Sequence, residues 1–203
     1  MKNNKQSKWK VLAATALAVL ALGLAGCGGS GDKADKGGKQ YKVGIVQLVE
    51  HSALDAANKG FVDGLAKKGF QEGKNVTFDR QNAQADQSNL QNIAQRFVNN
   101  KVDLICAIAT PAAQTVANAT KDIPIVGTAI TDYKQAKLVR DPAKPGTNVT
   151  GTTDMNPIKE QVALLHKVFP KAKKVGVIYS SSEVNSQTQV EIMKKEAAAL
   201  GLE

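Results

Sequence analysis

From Tyr41 onward, short apolar runs alternate with longer stretches whose apolar residues recur at helical spacing. Residues 43–48, 75–80, 102–108 and 123–127 read as strands, and 55–67, 87–99 and 111–119 as the helices between them. In the first helix Ala56, Phe61 and Leu65 face inward, and Gly69 closes it as a C-terminal cap. In the second, Leu90, Ile93, Ala94, Phe97 and Val98 share one face. Pro111 falls early in the third helix, where its missing N–H costs little. Pro124 belongs at the start or edge of its strand. Strand–helix alternation predicts an α/β fold, a doubly wound parallel sheet with right-handed crossovers. The strand runs lack a clean polar alternation, which suits a sheet buried on both faces.

A second unit follows. Residues 133–148, rich in Lys, Pro and Gly, read as a connecting loop, and Val149-Thr150-Gly151 as a crossing between lobes. Residues 157–169 read as a helix with Ile158, Val162, Leu165 and Val168 inward. A strand over 174–179 and a helix over 185–200 come next, and Leu202-Glu203 hints at another strand. The first lobe is therefore placed at 41–150 and a partial second lobe at 151–203. Helix, strand and helix cannot close a domain, and a lone strand would leave its edges exposed. The expectation is a chain shortened at its C-terminus.

The N-terminus carries a different message. A basic start precedes an apolar run from Val11 to Leu24, then Leu24-Ala25-Gly26-Cys27. This is the layout of a secretory signal, placed at 1–26, and the run is short for a membrane span. The segment around Cys27 resembles a bacterial lipobox, which implies cleavage before Cys27 and lipidation of it. Acyl chains would then hold the protein at the membrane. Residues 27–40 have no apolar side chain larger than Ala after the Cys, so they are read as a flexible tether.

Location also settles the charge. The formal excess is +9, but Lys2, Lys5, Lys8 and Lys10 lie in the signal, leaving 23 basic against 18 acidic residues interspersed along the chain. Neither a basic stripe nor interleaved aromatics points to nucleic acid. The two cysteines leave Cys106 unpaired once Cys27 is lipidated, and its apolar surroundings make it a core thiol. Two histidines without clustered cysteines make no zinc site, and no metal or cofactor is expected. The glycines and lysines of the tether lack P-loop spacing. His51 has no nucleophile or acid placed beside it by a recognised motif, so a structural or ligand-contacting role is favoured over catalysis. His166 reads as a half-exposed helix residue. No catalytic residue is assigned.

In open parallel sheets, ligands bind beyond the carboxyl ends of the strands. Short hydrogen-bonding residues fall there: Asp55 after the first strand, Asn82 after the second, Thr110 after the third, Thr128 and Asp132 after the fourth, and Ser182, Asn185 and Ser186 in the second unit. Each is also a plausible helix cap. Helix starts attract a carboxylate and an Asp pairs with an ammonium, so a zwitterion satisfies both.

The ordered motifs His51-Ser52-Ala53-Leu54-Asp55-Ala56-Ala57, Gln81-Asn82-Ala83-Gln84, Ala109-Thr110-Pro111-Ala112-Ala113-Gln114, Asp122-Ile123-Pro124-Ile125-Val126, Asn148-Val149-Thr150-Gly151 and Val175-Gly176-Val177-Ile178-Tyr179 carry a resemblance. Ser182-Glu183, Asn185 and Ser186 complete it. Together they resemble the substrate-binding lipoproteins of tryptophan/tyrosine-type ABC transporters, from Tyr41 to Glu203. The resemblance implies a type I periplasmic-binding-protein fold, with the first lobe complete and the second partial. It implies an amino-acid ligand, aromatic in this group, held between two lobes and delivered to an ABC permease. It places the protein on the outer face of the cytoplasmic membrane, at the cell surface or in a periplasm. The ligand contacts would be Leu54, Asp55, Asn82, Thr110, Thr128 and Asp132 on the first lobe and Ser182, Asn185 and Ser186 on the second, with Tyr133 or Tyr179 for stacking. Two rival readings are a ligand sensor for a membrane signalling partner and an extracytoplasmic enzyme.

Overall fold

The apolar run after Tyr41 becomes β1 (Tyr41–Gln47), buried from Val43 to its end. A computed structural model describes residues 39–203; the signal segment, Cys27 and the tether as far as Gly38 lie outside the described residues. The other strands are β2 (Val76–Asn82), β3 (Leu104–Ile108), β4 (Ile125–Ile130) and β5 (Val149–Thr153). They form one sheet in the order β2-β1-β3-β4-β5, and every pair is parallel.

Helices α1 (Ser52–Lys67), α2 (Gln87–Asn99) and α3 (Thr110–Ala119) cover the sheet. Successive strand residues point to opposite faces. Val43 and Ile45, with Cys106 and Ile108, therefore face α1, where Leu54, Ala57, Phe61 and Val62 pack on them. Val46, Ile105 and Ala107 face the other way, against Leu90, Ile93, Ala94 and Phe97 of α2 and Ala112, Ala113 and Val116 of α3. Gly44 belongs to that second face because the Phe97 ring lies against it: a Cβ there would come within 2.8 Å of the ring.

Several boundaries differ from the sequence reading. α1 begins before Asp55 because the His51 side chain caps it, accepting from the Ala53 N–H at 3.2 Å. Ala56 faces solvent, and Leu54 and Ala57 take the inward positions. Asp86 caps α2 through the Asn89 N–H at 2.8 Å. Residues 149–151, expected only as a crossing, belong to a fifth strand: Ile125, Val126 and Gly127 of β4 pair with Val149, Thr150 and Gly151.

The second unit contains α4 (Ile158–Val168) and α5 (Val184–Ala199). Ile158, Val162, Ala197 and Leu202 form its small core. Val168 is 58% exposed, not inward. The strand expected over 174–179 has no regular assignment. Its one ladder-like exchange joins Val175 N–H to Glu203 C=O at 2.6 Å and Glu203 N–H to Lys173 C=O at 2.8 Å. That pattern is a single parallel bridge. Val177, Ile178 and Tyr179 beyond it have no strand partner among the described residues and are exposed.

Candidate functional site

β1 pairs with β2 on one side and with β3 on the other, so the sheet changes its winding direction between β1 and β3. The helices that follow these strands leave on opposite faces, which opens a crevice at their carboxyl ends.

On the β1 side stands Gln47, a residue the sequence reading absorbed into the apolar strand. It is 4% exposed. Its Nε2 donates to Asp55 Oδ1 at 2.6 Å and to the Val49 carbonyl at 2.9 Å, and its Oε1 accepts from Asn58 Nδ2 at 3.3 Å. The buried amide thus spends its hydrogen-bonding capacity on fastening the first turns of α1 to β1. The Asp55 carboxylate makes no ion pair among the described residues.

On the β3 side, Ala109 caps α3 with a left-handed φ of 83°. Its N–H donates to the Thr128 carbonyl at 3.1 Å, which ties the ends of β3 and β4 together. Thr110 follows at 2% exposure, and its hydroxyl has no hydrogen-bond partner. A buried hydroxyl left unpaired is costly, and natural structures keep few of them. Ala129, at φ 55°, lies in a bulge where the β4–β5 register shifts between Gly127 and Ile130. Strained alanines at the ends of two neighbouring strands fit a site that holds an imposed geometry.

The remaining predicted residues divide. Leu54 packs with Phe61 and Ala129 on the α1 face. Asn82 accepts the Gln84 N–H at 2.8 Å, a turn bond. Thr128 shares its hydroxyl with that of Thr152 at 3.3 Å. Asp132 caps a turn, accepting from the Lys134 and Gln135 N–H groups at 2.8 and 2.9 Å, and lines a hollow of about 310 Å³ beside β5 with Tyr133 and Met155. Ser182 borders a different hollow, against α3 and residues 136–149. Ser186 and Tyr179 share a third, of about 250 Å³, with Ile158, Gln161 and Met193. The Asn185 Nδ2 donates to Glu183 Oε2 at 3.2 Å, while its buried Oδ1 is unpartnered. Asp55, Thr110 and Thr128 therefore stand along the β1–β3–β4 edge, and Asn82, Asp132 and Ser182 have local structural partners or other neighbours.

Cys106 is fully buried at the sheet centre, and burial pushes its thiol up to about 12. It is a core group. His166 is half-buried in α4.

Residues 42–203 match the model of a family described as ABC transporter substrate binding protein. The chain belongs to that family. Among curated relatives, a tyrosine-binding protein of Clostridioides difficile is 54% identical over 153 residues, which is 75% of this chain and 44% of that protein. Among solved structures, an ABC domain from Streptococcus pneumoniae in complex with L-Trp is 46% identical with a TM-score of 0.78, covering 81% of this chain and 55% of that one. A conserved domain protein from Vibrio cholerae is 44% identical with a TM-score of 0.79, covering 81% and 56%. The chain thus spans about half the length of these relatives. Its sheet order and helix placement are those of a type I periplasmic-binding-protein lobe, followed by part of a second.

Proposed function

We propose that this chain is the ligand-capturing component of an ABC importer, and that it takes an aromatic amino acid. One observation carries the reading: an Asp55 carboxylate with no cation partner and a buried, unpartnered Thr110 hydroxyl flank the point where the sheet reverses its winding. A carboxyl group suits the start of α3, where free N–H groups and the helix dipole favour negative charge. An ammonium group suits Asp55. Relatives named for tyrosine and bound to L-Trp support the aromatic side chain.

Second-lobe contacts would come from Asn185 and Ser186, with Tyr179 offering a ring beside Ser186. Ligand touching both lobes only when they close shifts the population toward the closed form, which the permease reads. Nothing in this arrangement calls for a catalytic residue. Export through the signal at 1–26 and lipidation of Cys27 would tether the protein outside the cytoplasmic membrane. No helix among the described residues is long and apolar enough to cross a membrane.

Thermal unfolding with a panel of amino acids at millimolar concentration tests this. A ligand that binds only the folded state stabilises it by about 2.7 kcal/mol at a hundredfold excess over Kd. Tyrosine, tryptophan or phenylalanine should raise the melting temperature by several degrees. A clean transition that none of them moves overturns the amino-acid reading.

A further inference from the structure

We infer that Gln47 is a positioning residue that makes the site selective for a primary ammonium, acting through Asp55. The inference rests on the binding reading above and assigns its specificity. Three features carry it. Gln47 is buried to 4% exposure in a strand whose other inward residues, Val43 and Ile45, are apolar. A buried amide costs stability unless it is fully bonded, so its presence asks for a reason. Its bonds provide one: Nε2 reaches Asp55 Oδ1 at 2.6 Å, and the Asn58 amide orients Gln47 from the next turn of α1.

The consequence is a carboxylate pinned in one place. Gln47 occupies Oδ1 of Asp55, and Oδ2 accepts no hydrogen bond among the described residues. A neutral amide orients the carboxylate without neutralising it, as a lysine or arginine would. Gln47 is also in register with Ile108, two residues before the unpartnered Thr110 hydroxyl. Neighbouring strands lie about 4.8 Å apart, so the ends of β1 and β3 that carry these two groups are side by side at the switch point. A carboxylic acid that lacks the amine would fill one side and leave the other unused. Unpaired polar groups in a closed site discriminate strongly against such an analogue.

The test is calorimetric titration of the whole chain with L-tyrosine and with its des-amino analogue, 3-(4-hydroxyphenyl)propanoate. The wild type should prefer tyrosine. Asp55→Asn keeps an acceptor for Gln47 but removes the charge; it should weaken tyrosine about 10- to 100-fold and leave the analogue within about twofold. Gln47→Met, close in volume, should cut the tyrosine-to-analogue ratio about tenfold without weakening the analogue. Should Gln47→Met not fold, Gln47→Asn shortens the reach to Asp55 and must give the same collapse of the ratio. Equal losses for both ligands would make Gln47 merely structural and overturn the inference. A wild-type ratio near one, or an unchanged ratio in Asp55→Asn, does so as well while leaving the binding reading standing. Binding of neither ligand by the wild type removes that reading itself.

Discussion

Gly127 and Gly151 stand opposite each other in the β4–β5 ladder, and neither has room for a side chain. The Tyr133 hydroxyl fills the space between the strands, 2.8 Å from the Gly127 carbonyl oxygen and 3.1 Å from that of Thr152. It bonds to both strands beside the register shift of the ladder. β5 is therefore seated on β4 by a side chain as well as by its own backbone.

Gly151→Ala should be severe. The new Cβ would overlap the Gly127 carbonyl and the Tyr133 hydroxyl and lie 2.7 Å from the Gly127 nitrogen. The atoms it meets are mostly backbone, which cannot swing aside. A loss of about 3 kcal/mol or more is expected in urea unfolding. A variant that unfolds with the wild-type midpoint would show that the strands do not approach this closely.

Gly44→Ala meets a side chain instead. Its Cβ would lie 2.8 Å from the Phe97 ring, so Phe97 must move. The single variant should lose about 1–3 kcal/mol. Adding Phe97→Leu should cost less than the sum of the two single losses, because the smaller residue vacates the contested space. Strict additivity in the double-mutant cycle would refute the contact.

Thr110→Val should separate stability from binding. The variant removes a buried hydroxyl that has no partner, so unfolding free energy should hold steady or rise by up to about 1 kcal/mol. Affinity for an aromatic amino acid should fall about tenfold, the worth of one hydrogen bond. A destabilised variant with unaltered affinity would mean the hydroxyl serves the fold.

Alkali should weaken the fold through groups buried in the core. Burial raises the Cys106 thiol from 9.0 to about 12, and burial likewise raises the Tyr133 phenol. Below pH 9 both the folded and unfolded states hold the thiol proton. Above it the unfolded chain releases that proton and the folded chain does not, so unfolding gains. Stability should decline from about pH 9 to about pH 12, by up to about 1.4 kcal/mol per pH unit for the thiol. Urea melts across this window should show a shallower decline in Cys106→Ala. An identical slope in the variant would rule the thiol out.

The strand–helix order was legible because each apolar run and each helical stripe is long enough to show its period. β5 was not: Thr150, Gly151, Thr152 and Thr153 are exposed at a sheet edge, and pairing rather than apolar content makes them a strand. The reverse error occurred at Val175-Gly176-Val177-Ile178-Tyr179, whose composition is strand-like but which has a single bridge, to Glu203. At the candidate site, Asp55 and Thr110 could be read from their places after strands. Gln47 could not, since its neighbours made it look like part of an apolar strand. The one available signal was a lone amide at the last position of that strand. Asn82 and Asp132 show the opposite ambiguity, for a turn uses the same short side chains that a ligand would.

A sheet with only parallel neighbours contains no hairpin, and that governs the order in which the lobe can be built. The β1 residue Lys42 bonds to Asp103, just before β3, across 61 positions of chain. Loop closure of that length precedes any reward from the central pairing, and folds rich in such distant contacts fold slowly. β1 precedes β3 in the chain, and it can gain this central neighbour only after β3 has emerged. During that interval β1 can pair with β2 alone, and its other edge waits for β3.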